Sequence, residues 1–273
     1  MALSSIYRAS KNRAKSLRLM RRLEREKQRS DQLARFVIPV GLALSTETDF
    51  DTLLEKILLE GKSLAHADGG TLYLVTPEKT LRFGMLINDT LKIAMGGTSG
   101  RPVSLPPLNL HDPATGTPNL GNIATSCALG ARSLSVADAY AEQGFDFSGT
   151  KAFDRRMNYR TISVLCVPLK DAEEQVIGVL QLINAQDPET GRVIPFDEHL
   201  GHIIGLLGLL AAAALKSYLR VKKLKEELED LRIQIDEVKK ERQVAEITGS
   251  DYFKNVQAQA REMRSRVKGR NNP

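Results

Sequence analysis

Apolar residues at every second position mark two neighbouring strands in the first half of the chain. The alternation runs through residues 69–77 and returns in residues 80–89, with a polar turn between the two runs. A period of two is typical of a strand with one buried face, and two such runs across a short turn predict a β-hairpin. Shorter apolar runs predict further strands at residues 91–95 and 132–138, and a short helix at residues 122–131.

A second hairpin is predicted by two nearly continuous apolar runs within residues 160–185, which a short acidic turn joins. Strands without alternation are covered on both faces, so this pair should lie inside the domain. In the second run, a period of two places Ile177, Val179, Gln181 and Ile183 on one face and Val176, Gly178, Leu180, Leu182 and Asn184 on the other. Residues 96–120, 138–160 and 186–195 are predicted to be loops, with room for one short strand in the first and short helices in the second.

Helices are predicted before the first hairpin. Residues 1–35 contain no Pro or Gly and are rich in Arg, Lys and Leu, which is typical of a helix that is polar on most sides. Pro39 and Gly41 are expected to kink or end this helix. A new helix is predicted to begin with Ser45 or Thr46 as its N-cap, and its buried stripe should consist of Leu53, Leu54, Ile57, Leu58 and Leu64.

A long helix with a heptad pattern is predicted in the last third of the chain. No proline occurs between Phe196 and Ile247. Steps of three and four connect the seam positions Leu207, Leu210, Ala214, Ser217, Val221, Leu224, Leu228, Leu231, Ile235, Val238, Arg242 and Ala245. On a straight helix, positions with a period of 3.5 residues drift slowly around the surface. A seam that keeps this period for so long therefore predicts a coiled coil, in which supercoiling holds the seam against a partner helix. A break is expected at residues 248–251, followed by a last helix over residues 251–268 that Ser250 or Asp251 caps.

The charge of the chain is concentrated at its two ends. Residues 1–35 carry a net charge of +8 and residues 251–273 carry +4, so residues 36–250 carry −6 of the total of +6. The basic N-terminal helix has a thin apolar face and one aromatic residue, Tyr7. A solvated helix, or one that faces an acidic protein, is therefore favoured over contact with a membrane or nucleic acid.

Neither a membrane span nor a disulfide scaffold is expected from the sequence. The longest apolar run, residues 203–215, has 13 residues, which is short of the roughly 20 that a helix needs to cross a bilayer. The beginning of the chain lacks the apolar region of a signal peptide. Cys127 and Cys166 lie in apolar surroundings and are expected to be reduced core residues, which indicates the cytoplasm. A disulfide bridge between the two remains the alternative.

The order of these elements resembles that of a GAF domain. The segments that carry the resemblance are GGTLYLVTP, VADAY, FDRRMNYRTISVLCVPL and VIGVLQLIN. The resemblance implies an α+β fold, with an antiparallel sheet that has helices on one face and a small-molecule pocket on the other, and with terminal helices that drive dimerisation. The predicted organisation is a basic N-terminal helix (1–44), a GAF domain (45–218), a coiled-coil extension (219–247) and a basic helix or tail (248–273).

The resemblance also implies a ligand site beneath residues 138–161. In nucleotide-binding GAF domains the segment that AFDRRMNYRT matches caps the ligand, so Asp154 is the candidate acceptor of ligand hydrogen bonds. Its removal should weaken binding roughly ten- to a hundred-fold and leave the fold intact; the alternative is a solvated helix residue. The other candidate ligand-binding residues are Asp138, Phe145, Phe153, Thr161 and Asn184. The two phenylalanines could equally be core residues, and Thr161 could simply open a strand.

Cyclic nucleotides are expected to bind weakly or not at all. GAF domains of cyclic-nucleotide phosphodiesterases carry an Asn-Lys pair, then a Phe, three residues and Asp-Glu. This chain has Asn184 followed by Ala185, and Val193 at the place of the Phe before Asp197 and Glu198. In those domains the Lys is thought to brace the pocket, so its replacement disfavours cyclic AMP and cyclic GMP as ligands without removing the pocket.

No pattern in the chain predicts catalysis, a cofactor or a metal site. The phosphate-binding loop, the nucleophile elbow and the dinucleotide-binding glycine pattern are all missing from the sequence. His199 and His202 have helical spacing for two metal ligands, but no third ligand lies near them in sequence, so two helix-surface residues are favoured. Cys127 lacks the adjacent His usually found beside a cysteine that carries a bilin.

Two functions therefore compete. In the first, an unknown small molecule binds the pocket of a homodimer, and the coiled coil transmits the change to a separate output protein. In the second, the pocket is degenerate and filled by side chains, and the dimeric helices recruit or space other proteins. A small molecule that co-purifies with the protein would favour the first, and a ligand-free dimer with a bound protein would favour the second.

Overall fold

The structure is a computed structural model that describes residues 38–270 of the chain, apart from the side chains of residues 38, 198, 199, 249 and 265–270. The helix expected at residues 1–35 lies outside the described residues. The chain divides into two compact units, one that ends at Tyr218 and one that begins at Leu219.

Helices and strands follow the predicted order. The helices are α1 (Ile38–Ser45), α2 (Phe50–Ala65), α3 (Ile123–Gly130), α4 (Ser148–Met157), α5 (Glu198–Gly249) and α6 (Asp251–Arg270). The strands are β1 (Ala67–Val75), β2 (Thr80–Asn88), β3 (Ile93–Gly96), β4 (Leu108–Asn109), β5 (Leu134–Val136), β6 (Val164–Lys170), β7 (Val176–Gln186) and β8 (Val193–Ile194). A turn of 3-10 helix at Gly97–Ser99 follows β3.

The strands form one antiparallel sheet in the order β3-β2-β1-β7-β6-β5, with β4 paired to β2 and β8 paired to β7. Both predicted hairpins are present, and their inner strands, β1 and β7, lie side by side with Leu72 opposite Leu180. β8 was predicted to be loop; an Asp187 side chain that accepts the amide of Thr190 closes the turn that brings β8 back to β7. The predicted α+β fold with an antiparallel sheet and a long C-terminal helix is confirmed.

The main hydrophobic core lies between one face of the sheet and helices α1, α2 and α5. The stripe predicted for α2 faces this core, and α5 contributes Ile204, Leu207, Ala211 and Leu215. β7, the strand of the second hairpin that pairs with β1 of the first, contributes Leu180 and Leu182. Truncating one of these fully buried leucines to alanine costs roughly 2–5 kcal/mol.

A second, smaller core covers the opposite face of the sheet. It joins α3, β5 and the segment before α4 to β6 and β7, and its buried members are Tyr73, Leu81, Leu110, Ile123, Ala124, Cys127, Ala128, Val136, Ala139, Phe147, Val164, Cys166 and Val179. β6 and β7 therefore have apolar cover on both faces, which explains their nearly continuous apolar sequences.

The predicted start of α2 is wrong by several residues. Asp49 is the N-cap, and its Oδ1 atom accepts a hydrogen bond from the Thr52 amide at 2.7 Å. The Ser45 hydroxyl donates to the carbonyl of Leu42 at 2.9 Å, and the Thr46 hydroxyl donates to it at 3.2 Å. These hydroxyls therefore satisfy the carbonyl end of α1 rather than the amides at the start of α2. α1 contains both Pro39 and Gly41. The helix that these residues were expected to kink or end, at residues 1–35, lies outside the described residues.

The predicted faces of β7 are wrong at its first two residues. Leu169 pairs with Gly178, but Lys170 pairs with Val176, so Ile177 is an extra residue in a β-bulge. A bulge reverses the alternation of side chains. Val176 consequently packs against the second core and Ile177 against the main core, whereas Val179 and later residues keep their predicted sides.

The first part of α5 is a core helix. Leu200–Thr248 is long and apolar enough to pass a test for a membrane span by length and composition, contrary to the expectation from sequence. Several of its apolar residues up to Leu215 are buried in the main core, namely Ile204, Leu207, Ala211, Ala212, Ala214 and Leu215, whereas Leu209 is 46% exposed. The predicted seam positions Leu207 and Ala214 are among these buried residues, so within the described residues the exposed apolar part of the seam begins further along, at Val221.

Candidate functional site

The end of α4 positions the first candidate residue, Asp154. Asn158 caps this helix in the left-handed conformation with φ 49°, and its amide donates to the carbonyl of Asp154. The amide of Tyr159 donates to the same carbonyl at 2.9 Å. This tight reversal sends the chain back past the side chain of Asp154 before it enters β6.

The carboxylate of Asp154 is buried, with 1% of the residue exposed. It accepts hydrogen bonds from the amide of Thr161 at 2.8 Å, from the hydroxyl of Thr161 at 3.0 Å and from the hydroxyl of Tyr140 at 3.1 Å. The alternative of a solvated helix residue is therefore wrong. The effect of Asp154→Ala on the fold stays a prediction, but three donors would lose their acceptor, so we expect this change to destabilise the domain.

Asn184 holds the other side of the same segment. Its Oδ1 atom accepts the amide of Ile162 at 2.7 Å, and its Nδ2 atom donates to the carbonyl of Arg160 at 2.8 Å. Asn184 has φ 56°, a conformation that Asn tolerates better than most residues with a side chain. Asp154, Thr161 and Asn184 are thus brought together around residues 160–162.

Sequence reasoning missed two residues that complete this network, Asp68 and Tyr159. The hydroxyl of Tyr159 donates to Oδ2 of buried Asp68 at 2.6 Å and accepts from Nδ2 of Asn184 at 2.8 Å. Thr90 donates to the other oxygen of Asp68 through its hydroxyl at 2.7 Å. Burial, followed by the hydrogen bond to Asp68, raises the pKa of Tyr159. The sequence signal for Asp68 was a carboxylate at the start of an otherwise apolar strand.

Tyr140 and Asp138 form the more open side of the network. The Tyr140 ring lies under the guanidinium of Arg160, with Cζ 4.6 Å from the ring centroid, and Lys151 Nζ lies 5.3 Å from that centroid. The carboxylate of Asp138 accepts the amide of Tyr140 at 2.8 Å and lies 3.7 Å from Arg160. Partial burial, with the hydrogen bond to Asp154, raises the pKa of Tyr140. Asp138 is more accessible than Asp154.

The two candidate phenylalanines differ in their surroundings. Phe145 is partly buried against the second core, next to buried Phe147, and Phe153 is partly buried on α4. Residues 138–147 belong to the segment that was expected to cover a ligand. Their apolar side chains pack directly against the sheet in the second core. Whether a ligand enters there stays a prediction, and so do the ligand-binding roles of all six candidate residues.

The cysteines are buried and unbridged. Burial raises the pKa of Cys127 to about 12 and raises that of Cys166 as well. Thiols in such surroundings are poor nucleophiles because the thiolate is the reactive form. Within residues 38–270, no group of three His, Cys, Asp or Glu side chains is placed to hold a metal ion; the side chain of His199 lies outside the described ones.

Comparison with known proteins agrees with this fold. The chain is 29% identical over 162 residues to the "cGMP-specific 3',5'-cyclic phosphodiesterase" of Drosophila sechellia, which covers 57% of this chain and 12% of that protein. The Drosophila melanogaster protein of the same name is 29% identical over 162 residues, 57% of this chain and 13% of that protein. The matched region thus spans about an eighth of these curated relatives.

A solved structure and a family model complete the comparison. The GAF domain from a phosphoenolpyruvate-protein phosphotransferase of Coxiella burnetii superposes with a TM-score of 0.50 and 12% identity, over 71% of this chain and 97% of that one. The GAF domain family model matches residues 49–215, which is more than half of the chain. The chain therefore belongs to the GAF domain family, whose members are ligand-sensing regulatory modules.

Proposed function

We propose that this chain is a cytoplasmic, non-enzymatic regulatory module that forms a homodimer through α5 and passes a change in its GAF domain to a separate output protein. The observation that carries the proposal is the second part of α5. Its seam residues Val221, Leu224, Leu228, Leu231, Ile235 and Val238 are each between 48% and 63% exposed. Six apolar side chains in steps of three and four, all open to solvent, need a partner helix.

The charges beside the seam favour a second copy in parallel orientation. If Val221 occupies position a of a heptad, position e holds Lys225, Arg232 and Lys239, and position g holds Glu227, Gln234 and Glu241. In a parallel pair, g of one helix meets e of the next heptad on its partner, so Glu227 would face Arg232. An antiparallel pair would place e against e and g against g, which brings like charges together.

Sedimentation of the full-length protein tests the dimer. Leu224→Glu combined with Leu231→Glu should give monomers at roughly tens of micromolar, because each change places a charge in a seam where lost leucine burial alone costs roughly 2–5 kcal/mol. Ile233→Glu is the matched control: Ile233 is 55% exposed but lies off the seam, so this variant should stay dimeric. A wild-type chain that sediments as a monomer would exclude the proposal.

Orientation is tested by a cysteine placed in the seam. Leu231→Cys should form a disulfide between two copies under mild oxidation if the helices are parallel and in register, since equivalent d positions then face each other. The two native cysteines are buried and should not contribute. Failure to cross-link, in a variant that sediments as a dimer, would contradict the parallel arrangement.

The proposal of a non-enzymatic role is supported by how the titratable groups are engaged. Asp154 and Asp68 are both buried and accept hydrogen bonds from their own chain, and burial raises the pKa values of both thiols. A metal-dependent turnover of a nucleotide by pure protein, abolished by one carboxylate change within residues 45–218, would overturn it.

An adaptor function is the second candidate, and the second core favours it. Apolar side chains, Phe147 and Ala139 among them, fill space between the sheet and residues 138–147, and the donors around Asp154 are satisfied internally. Native mass spectrometry of protein purified from its own cells separates the two candidates. A bound small molecule supports sensing, whereas a ligand-free dimer with a bound protein supports the adaptor.

A further inference from the structure

A cleft at the edge of the sheet lies apart from the network around Asp154. Its volume is about 310 Å³. The first turn of α2, the middle of β2 and the loop between β3 and β4 form its walls. Its lining includes Phe50, Leu54, Arg82, Arg101 and Leu105. Phe83 also borders it, but the ring of Phe83 packs against Tyr73 in the second core.

The cleft exists because the edge of β2 is interrupted. β3 pairs with β2 only as far as Met85, and β4 pairs with it again from Leu81. Within the described part of the chain, residues 82–84 therefore have no strand partner on this edge. Gly96 has φ 78°, and a Cβ atom there would lie 2.2 Å from the carbonyl oxygen of Gly84. Glycine at this position lets the chain turn off the sheet in close contact with β2.

The loop that leaves the sheet is held in place by its own hydrogen bonds. The amide of Gly96 donates to the carbonyl of Arg101 at 2.7 Å, and the hydroxyl of Ser99 donates to the carbonyl of Gly96, also at 2.7 Å. Thr98 ties the loop to α2, since its amide and hydroxyl both donate to the carboxylate of Glu55. Arg101 is thus presented by a closed turn and not by a free loop.

The lining of the cleft combines two cations with an apolar surface. Arg82 and Arg101 both line it, and within residues 38–270 neither guanidinium takes part in an ion pair or side-chain hydrogen bond. Asp51 is the acidic residue of the lining, so positive charge is in excess. A guanidinium presents parallel N–H groups that match a carboxylate or a phosphate. The aromatic and aliphatic side chains of the lining suit an apolar body beside that head group.

We propose that this cleft binds a small organic acid, with a carboxylate or phosphate held by Arg82 and Arg101 and an apolar body of about one ring beside Phe50 and Leu105. The site is distinct from the one expected beneath residues 138–161. Phe50 also packs against Tyr218 of α5, with ring centroids 5.1 Å apart. An occupant therefore contacts a ring that touches α5; any signalling consequence rests on the proposed function, whereas binding does not.

Saturation-transfer NMR of the full chain, with three probes of similar shape, tests the site. Phenylacetate and phenyl phosphate should give saturable binding, and neutral phenylacetamide should bind at least about tenfold more weakly, because it cannot form charge-assisted hydrogen bonds. Binding of one acid and not the other supports the site and identifies its head group. If neither acid binds, or if both bind no better than the amide, the proposal is wrong.

Two variants and a control locate the binding. Arg101→Gln and Arg82→Gln should each weaken binding of the acids about tenfold or more, and Arg132→Gln, a change at an exposed arginine elsewhere, should not. Unchanged affinity in both test variants would overturn the assignment. The Leu224→Glu, Leu231→Glu variant should bind the acids as the wild type does, so a failure of the dimer proposal stays separate from a failure of this site.

Discussion

Lys216 of α5 lies 2.9 Å from the carboxylate of Asp171, in the turn between β6 and β7. The same ammonium group also pairs with Glu173. Asp171 additionally accepts the amides of Glu173 and Gln175, at 3.0 Å and 2.9 Å, and so organises the turn that it attaches to the helix. The ion pair thereby joins the hairpin of β6 and β7 to α5. Lys216 lies two residues before Tyr218, where the first compact unit ends.

This ion pair should make stability depend on pH. The hydrogen bond from Lys216 is the main reason that the pKa of Asp171 lies below its usual value of 3.8. A carboxylate with a lowered folded-state pKa stabilises the fold above its unfolded pKa, and this contribution is lost as pH falls through the folded-state value. In Lys216→Met, we therefore expect a lower midpoint of thermal unfolding at pH 7 and a shallower decline of stability below about pH 4.

The matched control is the neighbouring pair between Lys170 and Glu174, in which Glu174 is largely exposed. Exposed ion pairs contribute little to stability. Circular dichroism melts from about pH 2 to pH 7 should thus show Glu174→Gln close to the wild type. A Lys216→Met protein with wild-type melting at every pH would show that the tie to Asp171 contributes nothing.

Replacing Asp154 should destabilise the domain. In Asp154→Ala, the amide and hydroxyl of Thr161 and the hydroxyl of Tyr140 lose a buried acceptor. A buried donor left unpaired costs roughly 1–3 kcal/mol, so we expect a loss of at least about 2 kcal/mol in the free energy of unfolding, measured by urea titration. Asp154→Asn keeps one oxygen and should lose less. Asp146→Asn, at an exposed residue before α4, is the control, and equal stability of all three variants would exclude this structural role.

Removing the hydroxyl of Tyr159 should have a comparable effect. Tyr159→Phe deprives Asp68 of a 2.6 Å hydrogen bond and Asn184 of one of its acceptors. Hydrogen bonds to charged groups contribute roughly 1.5–3 kcal/mol, so urea unfolding should reveal a loss of about that size. The same chemical change at exposed Tyr252 in α6 should alter stability by less than about 0.5 kcal/mol. Similar results for both tyrosines would mean that Asp68 finds another donor.

The thiols should react slowly in the native state. Cys127 and Cys166 are buried, and burial raises the pKa of each. At about pH 8 we expect negligible modification by an aromatic disulfide reagent until denaturant exposes both thiols, because the thiolate is the attacking species. Rapid reaction of one thiol in native protein, followed by absorbance, would show that the second core opens readily.

The regular elements could be predicted because apolar periodicity determines which residues face a core. The apolar runs of β1, β2, β6 and β7 and the stripe of α2 are all properties of a few successive residues. The one-sided burial that alternation predicted for β1 is wrong, because residues 67–73 are buried on both faces of this central strand. Ser45, Thr46 and Ile177 show the limit of this reasoning. Hydroxyl side chains serve either end of a helix, and a bulge is fixed by the partner strand, so neither outcome is visible in the local pattern.

The candidate site was only partly predictable for a related reason. The segment around Asp154 matched a family pattern, but the partners of its carboxylate come from residues 140 and 161, and those of Tyr159 come from residues 68 and 184. Hydrogen bonds across such sequence separations depend on the complete fold. The seam of α5 illustrates the same point, since Leu207 and Leu228 occupy equivalent heptad positions, yet the first is buried in the main core and the second is exposed.

The placement of α5 in the main core has a consequence for synthesis on the ribosome. Leu180 and Leu182 lie at the centre of the sheet and pack in the same core as Ile204 and Leu215, which are translated later. Until residues up to about 215 have left the exit tunnel, this face of the sheet has α1 and α2 but lacks the part of its cover that α5 provides. We expect a nascent chain that ends near residue 200 to remain sensitive to protease and to engage chaperones, as domains fold as units once their core is complete.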